Sequence, residues 1–336
     1  MRQVRRGALD AGIESGMRTG PLDQPGPAAG PEECEFMNRP LVKAYKVKTA
    51  KLTGSVRFVL LSDLHSRIYK EGNRGLIDLV RNMHPDIILC AGDMLVGKPR
   101  LSYQTAADFL CALPGIAPVF FSNGNHETQY RTFSRSRYGN YLMSIREAGV
   151  CVLNNARTEL ETPGGPADVA GLELPLGKYR KFRKHDLRED DIKERIGERG
   201  DDGRFQILIA HNPEFAETYR KWGADLIVSG HYHGGVVRSP FTRHALLSPY
   251  GYPFPKYGYG HYVWDPCGKV RCDTRGVKVS LMEETEKEGP EDLRSSFSGT
   301  DKKEAHLIVS GGLGDHSVPI RIFNPREIVC IDTVCG

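Results

Sequence analysis

Long apolar stretches are missing from this sequence. No run of 18 or more apolar residues occurs in the 336 residues, so no segment has the composition of a membrane-spanning helix. The formal net charge of +4 is too small to favour nucleic acid or an anionic membrane as the partner of the whole chain. No apolar segment follows the basic start at residues 1–6, so we predict no signal peptide and a cytoplasmic protein.

Closely spaced cysteines are also scarce. Of the eight cysteines, only Cys267/Cys272 and Cys330/Cys335 form pairs, each at the loose end of the spacing in structural zinc sites. Reduced thiols are therefore the preferred interpretation, with zinc or a disulfide as the alternative. No internal repeat of fixed period occurs. Hydrophobic (39%) and charged (26%) contents are typical of a soluble globular protein.

Composition divides the chain into three parts. Residues 1–40 are rich in Gly, Pro and charge and lack hydrophobic periodicity, which predicts a disordered tail. Residues 41–335 are predicted to form a single domain, because apolar runs and helical segments alternate along them. Within this domain, residues 266–305 are polar and charged and are predicted to be an exposed insertion.

The alternation predicts an α/β arrangement. Helices are predicted at 75–82, 105–112 and 138–148, and a short one opens at Pro213. An edge strand is predicted at 41–47. The other predicted strands are 57–62, 85–91, 119–122, 150–153, 168–172, 205–210, 226–229, 306–310, 320–323 and 327–333.

Two segments near these strands are open to more than one interpretation. Residues 177–203 are charged, and the basic part at 178–185 is either a solvated helix face or a rim that attracts an anionic substrate. Residues 234–262 are rich in Gly, Pro and Tyr and are predicted to be a long loop whose backbone faces the substrate.

Metal-binding residue types follow five of the predicted strands. Carboxyl ends of parallel strands meet at one edge of a sheet, where α/β proteins bind their ligands. Five such clusters make a purely structural explanation poor. The residues concerned are Asp63, His65, Asp93, Asn125, His126, His211, His231 and His233.

These ligand types indicate a pair of divalent metal ions. Carboxylate, imidazole and amide groups suit Mn, Fe, Zn or similar ions better than soft, thiolate-preferring metals. Two metals about 3.5–4 Å apart need roughly this number of ligands and a shared carboxylate. Asp93 stands alone at the end of its strand and is the natural bridge.

The same residues form motifs that resemble the calcineurin-like metallophosphoesterase superfamily. The flanks at 45–61 and 311–328 are similar to those of bacterial phosphoesterases often found near membranes. The resemblance implies a four-layer αββα sandwich of two mixed sheets, with the dinuclear site at the strand-end loops. The matching motifs are Asp63-x-His65, Gly92-Asp93, Gly124-Asn125-His126-Glu127, His211 and Gly230-His231-x-His233.

The resemblance also implies roles for individual residues. His126 would stabilise the transition state and protonate the leaving oxygen, oriented by a carboxylate such as Asp63. For Glu127, a catalytic role and a merely structural one are equally supported. One metal would be held by Asp63, His65, His233 and Asp93, and the other by Asp93, Asn125, His211 and His231.

The predicted function is metal-dependent phosphohydrolysis, in which a hydroxide bridging the metals attacks phosphorus. The resemblance favours a phosphodiester or pyrophosphate over a monoester, so a lipid-linked pyrophosphatase and a cyclic nucleotide phosphodiesterase are alternatives. The non-enzyme alternative, an inactive interaction scaffold, conflicts with the complete ligand set. Nucleic-acid processing conflicts with the modest net charge. The predicted partners are a phosphate-ester substrate and, as an alternative, a lipid or peripheral membrane surface.

Overall fold

The computed structural model describes residues 39–180, 185–199, 202–248, 251–278, 304–315 and 320–336. All of the predicted tail except residues 39 and 40, and most of the predicted insertion at 266–305, therefore lie outside the described residues. The described residues belong to one compact unit.

The described residues contain strands that build two large sheets and one small one. The first eight strands are β1 (Leu41–Thr49), β2 (Arg57–Leu61), β3 (Ile87–Cys90), β4 (Val119–Phe121), β5 (Cys151–Val152), β6 (Ala156–Thr162), β7 (Gly165–Leu172) and β8 (Phe205–Ala210). The others are β9 (Leu226–Ser229), β10 (Val237–Arg238), β11 (Ala245–Leu247), β12 (Gly260–Trp264), β13 (Val270–Asp273), β14 (Val277–Lys278), β15 (Ala305–Val309) and β16 (Glu327–Cys335).

Both large sheets are mixed and have seven strands. The order in the first is β14-β1-β16-β2-β3-β4-β5, and β2 to β5 run parallel. The order in the second is β13-β12-β15-β9-β8-β7-β6, and β7, β8, β9 and β15 run parallel. Each sheet therefore places the carboxyl ends of four parallel strands at one edge.

Helices connect these strands and cover the outer faces of the sheets. They are α1 (Arg74–Asn82), α2 (Gln104–Ala112), α3 (Asn125–Phe133), α4 (Arg135–Glu147), α5 (Glu189–Ile196) and α6 (Ala216–Trp222).

Strand β2 shows how the layers form, because its successive side chains point to opposite faces of the sheet. Phe58 and Leu60 pack in the core between the sheets, together with Ile207 of β8. Val59 and Leu61 face the other way and join the core beneath α1, α2 and α4. A third core lies between the second sheet and helices α5 and α6. The predicted four-layer αββα sandwich is confirmed.

Some sequence-based expectations were wrong at the sheet edges. Strand β1 is not an edge strand, since β14 pairs with it. Residues 320–323 form only a single bridge, from Ile322 to Val237, and residues 234–262 contain β10, β11 and part of β12 rather than an unbroken loop. Strands β13 and β14 lie within the predicted insertion. Short edge strands with few apolar residues have no clear signature, which is also why β6 was missed.

A buried histidine pair connects the second sheet to strand β1. His306 Nε2 donates to the carbonyl oxygen of Lys48 (3.1 Å), so its Nδ1 accepts a hydrogen bond from His261 Nε2 (3.0 Å). Burial, reinforced by His306, lowers the pKa of His261 to about 3, and burial also lowers the pKa of His306. Both rings are therefore neutral in the folded protein near neutral pH.

This pair predicts acid sensitivity. Below pH 6.5 the unfolded chain binds protons that the folded His261 excludes, so stability is lost as the pH falls from about 6.5 towards 3. Between pH 7 and 5, we expect His261 alone to reduce the free energy of unfolding by about 2 kcal/mol. Urea unfolding of His261→Gln should show a flatter pH dependence than the wild type. His244→Gln, which removes an exposed histidine, should not, and equal slopes in all three proteins would contradict the prediction.

Candidate metal centre

The ends of five strands carry the predicted ligands to one place. Asp63 and His65 follow β2, and Asp93 follows β3. Asn125 and His126 open α3 just after β4. The second sheet supplies the remaining three, His211 after β8 and His231 and His233 after β9.

The backbone at these residues has an uncommon conformation. Asp63, His65, Asp93, His231 and His233 all have positive φ, between 48° and 66°. Non-glycine residues pay roughly 1–3 kcal/mol for such positions, which persist where the surrounding structure enforces them, typically at functional sites. The strand ends themselves enforce two of them, because Asp63 N–H donates to Gly92 O (2.9 Å) and His65 N–H donates to Asp93 O (3.0 Å).

Two glycines allow the carboxylates to lie this close to the neighbouring loops. A Cβ at Gly124 would collide with the carboxylate of Asp93, and one at Gly230 would collide with that of Asp63. Gly124 and Gly230 are therefore required, because any side chain at either position would collide with the carboxylate packed against it.

The side chains form three candidate ligand groups, and one of them, made of His65, Asp93 and His126, shares a residue with each of the other two. In the first, Asp63, His65 and His233 present ligand atoms that all lie within 4.8 Å of one another. His233 Nε2 is 3.2 Å from Asp63 Oδ1 and 3.0 Å from His65 Nε2. In the second, Asp93, His211 and His231 meet the same criterion. His65 Nε2 lies 3.9 Å from Asp93 Oδ2, so Asp93 stands between the groups.

His211 shows why a cation fits here. Its Nδ1 donates to the carbonyl oxygen of Ala91 (2.5 Å), so in the neutral form of the ring the lone pair of Nε2 points at Asp93 Oδ2, only 3.1 Å away. Two acceptor atoms at this distance need a proton or a metal ion to join them. Although burial lowers it, the Asp93 carboxylate raises the pKa of His211 to about 9, so positive charge, from a proton or a metal ion, is favoured at this point.

Three other side chains of the site also present atoms that suit a metal ion. Asn125 Oδ1 is buried without a hydrogen-bond partner among the described residues. Burial, and then the neighbouring His126, keep the pKa of His65 well below its usual value, so this ring is neutral and able to bind a metal. The pKa of Asp93 is well below its usual value because His211 and His126 outweigh its burial. Oxygen and imidazole donors of this kind fit divalent ions such as Mn, Fe or Zn.

His126 stands beside the ligands and is oriented differently from the prediction. Its Nδ1 accepts a hydrogen bond from the backbone N–H of Gly97 (2.8 Å), so the neutral ring carries its proton on Nε2. That Nε2 lies 3.9 Å from Asp93 Oδ2, within the site. The predicted orienting contact from Asp63 is absent among the described residues, because Asp63 accepts from His231 N–H instead. Gly97 packs so tightly that a Cβ would lie 2.7 Å from His126 O.

Glu127, whose role the sequence left open, organises the loop that carries Asp93. It is fully buried, and its carboxylate accepts from the backbone N–H groups of Asp93 (2.8 Å), Met94 (2.7 Å), Leu95 (3.2 Å) and Gly124 (3.0 Å). Burial, and then Asp93, raise its pKa to about 7, while these donors act in the opposite direction. Its structural role is therefore the one that the contacts support.

We expect Glu127→Gln to destabilise the protein. One amide nitrogen would replace an oxygen that accepts two N–H groups, and each donor left buried without a partner costs roughly 1–3 kcal/mol. Urea unfolding should show a loss of about 2–4 kcal/mol, with the exposed Glu147→Gln as the matched control. A change below about 0.5 kcal/mol, the range of ordinary surface substitutions, would contradict this role.

Three further residues reach the site, and no sequence motif marked any of them. The ring centroids of Tyr179 and His231 are 5.0 Å apart, so this residue of the segment considered as a basic rim approaches the site. Arg321 Nη2 lies 3.0 Å from His233 Nδ1, and Asn324 Nδ2 donates to His233 O (2.7 Å). No motif marks the last two, since nearly 90 residues separate them from His233.

A four-layer α/β sandwich whose strand ends gather linked groups of Asp and His side chains has the architecture of a dinuclear metal protein. The model of the calcineurin-like phosphoesterase family matches residues 56–235, more than half of the chain. The chain therefore belongs to the calcineurin-like phosphoesterase family, whose members use a dinuclear divalent metal centre.

Curated relatives agree with this assignment. Phosphodiesterase YaeI of Escherichia coli is 31% identical over 159 residues, which cover 47% of this chain and 52% of that protein. A relative from Caenorhabditis elegans is 28% identical, over 59% of this chain and 41% of its own length. An uncharacterized metallophosphoesterase of Aquifex aeolicus is 28% identical, over 86% of this chain and 90% of its own. The chain spans about half the length of the first two.

Proposed function

We propose that the protein is a metal-dependent phosphohydrolase that prefers phosphodiesters. The observation that carries the proposal is the close approach of His211 Nε2 to Asp93 Oδ2, 3.1 Å apart, where a divalent ion would take the place of the proton that otherwise joins the two atoms. When bound, two such ions supply an activated water and neutralise the phosphate oxygens. Asp63, His65, His233 and Asp93 would hold one ion, and Asp93, Asn125, His211 and His231 the other.

The chain itself supplies a fixed donor next to these ligands. Because Gly97 N–H occupies Nδ1 of His126, the ring presents Nε2–H to the site. A preorganised donor of this kind stabilises the negative charge that develops on the phosphoryl or leaving oxygen. Burial of the surrounding groups strengthens the interaction by excluding water.

The preference for diesters has two supports. The flanks at 45–61 and 311–328 resemble a subgroup of bacterial phosphoesterases, and the E. coli relative bears the name phosphodiesterase. A cyclic nucleotide or a lipid-linked pyrophosphate is the alternative substrate. The cytoplasmic location stays a prediction, and no helix among the described residues is long and apolar enough to cross a bilayer.

The test compares hydrolysis of bis-p-nitrophenyl phosphate and p-nitrophenyl phosphate with added manganese. We expect at least about tenfold faster turnover of the diester and a loss of about 100-fold or more with chelator, since a metal contributes several kcal/mol to the transition state. Restoring manganese to the chelated protein should restore the activity. Silence on both substrates with metal bound would favour a lipid pyrophosphate, and absence of bound metal would favour the inactive scaffold.

A further inference from the structure

Two of the candidate ligand groups differ in what holds their histidines. We call the group of Asp63, His65 and His233 the His233 position, and the group of Asp93, His211 and His231 the His211 position. In a metal-ligating histidine, the ring nitrogen that faces away from the metal usually donates to a carbonyl or carboxylate oxygen, which makes the other nitrogen more basic. His211 follows this rule, since its Nδ1 donates to Ala91 O (2.5 Å) and its Nε2 faces the site.

His233 faces a permanent cation instead. Its Nε2 points into the site, 3.2 Å from Asp63 Oδ1, and its Nδ1 lies 3.0 Å from Nη2 of Arg321. A guanidinium group has five N–H donors and no acceptor, and it keeps its charge in proteins. Nδ1 can therefore only accept from Arg321, whereas a metal ion at Nε2 requires the form of the ring that carries its hydrogen on Nδ1.

The fold holds Arg321 in this place. Its side chain is only 9% exposed, its Nη1 donates to Gly311 O (2.8 Å), and its Nη2 also donates to Gly314 O. Gly314 N–H in turn donates to Asp63 O (2.5 Å), so Arg321 is fixed to the loop that contacts a ligand of the His233 position. A guanidinium held by two carbonyl oxygens cannot turn away from the ring without losing both hydrogen bonds.

The positive charge of Arg321 is only partly compensated. Its Nε lies 3.5 Å from Asp315 Oδ1, but Arg67 and Arg326 bind the same carboxylate at 2.7 and 2.6 Å. Three guanidinium groups thus share one negative charge beside the ring of His233. A like charge close by disfavours a second cation, and exclusion of water strengthens the repulsion.

We propose that Arg321 weakens the His233 position, so that its ion is bound less tightly than the ion at the His211 position. Counting ligand charges alone predicts the reverse order, because Asp63 adds a carboxylate to the one that Asp93 offers to both positions. The inference rests on the ligand assignment in the proposed function and not on the reaction, so it can be tested without hydrolysis.

The first test is equilibrium dialysis of the metal-free protein against a series of manganese concentrations, with bound ions counted by elemental analysis. We expect two binding steps whose dissociation constants differ by at least about tenfold, the usual effect of a changed partner behind a ligating histidine. His65→Ala should remove the weaker step and keep the tighter one. Two steps of equal affinity, or a weaker step that survives in His65→Ala, would overturn the proposal.

Variants at position 321 decide whether the arginine is the cause, because repulsion between two ions would also separate the steps. Arg321→Gln places a carbonyl oxygen that can accept from Nδ1, and it should tighten the weaker step by about 10- to 100-fold. Arg321→Lys loses the forked contact with the loop but remains a cation that can only donate, so its weaker step should stay as in the wild type. Arg326→Gln is the matched control, since it removes another guanidinium from Asp315 and has no contact with His233 among the described residues.

A merely structural role of Arg321 would give a different result. Thermal unfolding of the metal-free proteins should show similar losses in Arg321→Gln and Arg321→Lys, since both lose contacts with Gly311 and Gly314. Weaker or unchanged metal binding in Arg321→Gln, or equal tightening in Arg321→Lys, would overturn the role of the arginine. A wild type that holds two ions and hydrolyses neither test substrate would overturn the proposed function and not this inference.

Discussion

Asp93→Asn is expected to abolish hydrolysis of the diester, with a loss of roughly 10³- to 10⁴-fold or more, because a metal contributes several kcal/mol of transition-state stabilisation. Asp93 lies between the two ligand groups, with Oδ2 3.1 Å from His211 Nε2 and 3.9 Å from His65 Nε2. Asparagine keeps the shape but removes the charge that both cations would share. In the wild type the backbone N–H of His126 donates to Asp93 Oδ1 (2.7 Å). The amide nitrogen of asparagine would face either this N–H group or the metal, and it can accept from neither.

The measurement pairs turnover with metal content. Elemental analysis of manganese-loaded protein should show about two ions per chain in the wild type, as for a dinuclear site, and one or fewer in Asp93→Asn. Asp108→Asn, on the surface of α2, is the matched control and should leave both quantities unchanged. Two retained ions with activity within tenfold of the wild type would show that Asp93 does not bridge.

Much of the site could be predicted because it consists of strand ends. A buried strand has a strong apolar signature, as in residues 226–229, and the residue after it must emerge at the edge of the sheet. Once several strands are parallel, their polar successors converge without any knowledge of side-chain packing. This is why His211 and His231, whose strands β8 and β9 are neighbours, could be placed together from sequence.

Contacts that depend on loop paths could not be predicted in this way. Glu127 and Asp93 are 34 positions apart, and only the packing of α3 against the β3 loop shows that one carboxylate receives four backbone N–H groups. The contact between Gly97 and His126 likewise arises from close packing, which a single glycine in the sequence does not reveal. His261 and His306 pair across antiparallel strands β12 and β15, and their register depends on chain outside any motif.

Net charge gave an incomplete view of the surface for a related reason. A total of +4 averages the acidic segments with residues 231–264, which have no acidic side chain. Electrostatic attraction acts over about a Debye length, roughly 8 Å at physiological salt, so local segregation matters more than the sum. The net charge therefore argues against an anionic membrane only for the chain as a whole.

His126→Ala is expected to retain both metals and to lose turnover by about 10²- to 10³-fold, the usual effect of removing one preorganised donor. The ring is not among the proposed ligands, and Gly97 N–H fixes it with Nε2–H directed into the site. His126→Gln, whose amide can donate but not titrate, is the matched variant and should recover part of the loss.

The leaving group decides between two functions of that Nε2–H. Proton transfer to the leaving oxygen matters for a basic alkoxide and little for p-nitrophenolate, so a general acid predicts a larger defect in His126→Ala on an alkyl ester. Stabilisation of the phosphoryl oxygens predicts equal defects on both. Because a neutral ring that accepts from Gly97 would have to become an imidazolate to release its proton, the geometry favours the second outcome. Loss of metal from His126→Ala in parallel with activity would instead make His126 a ligand.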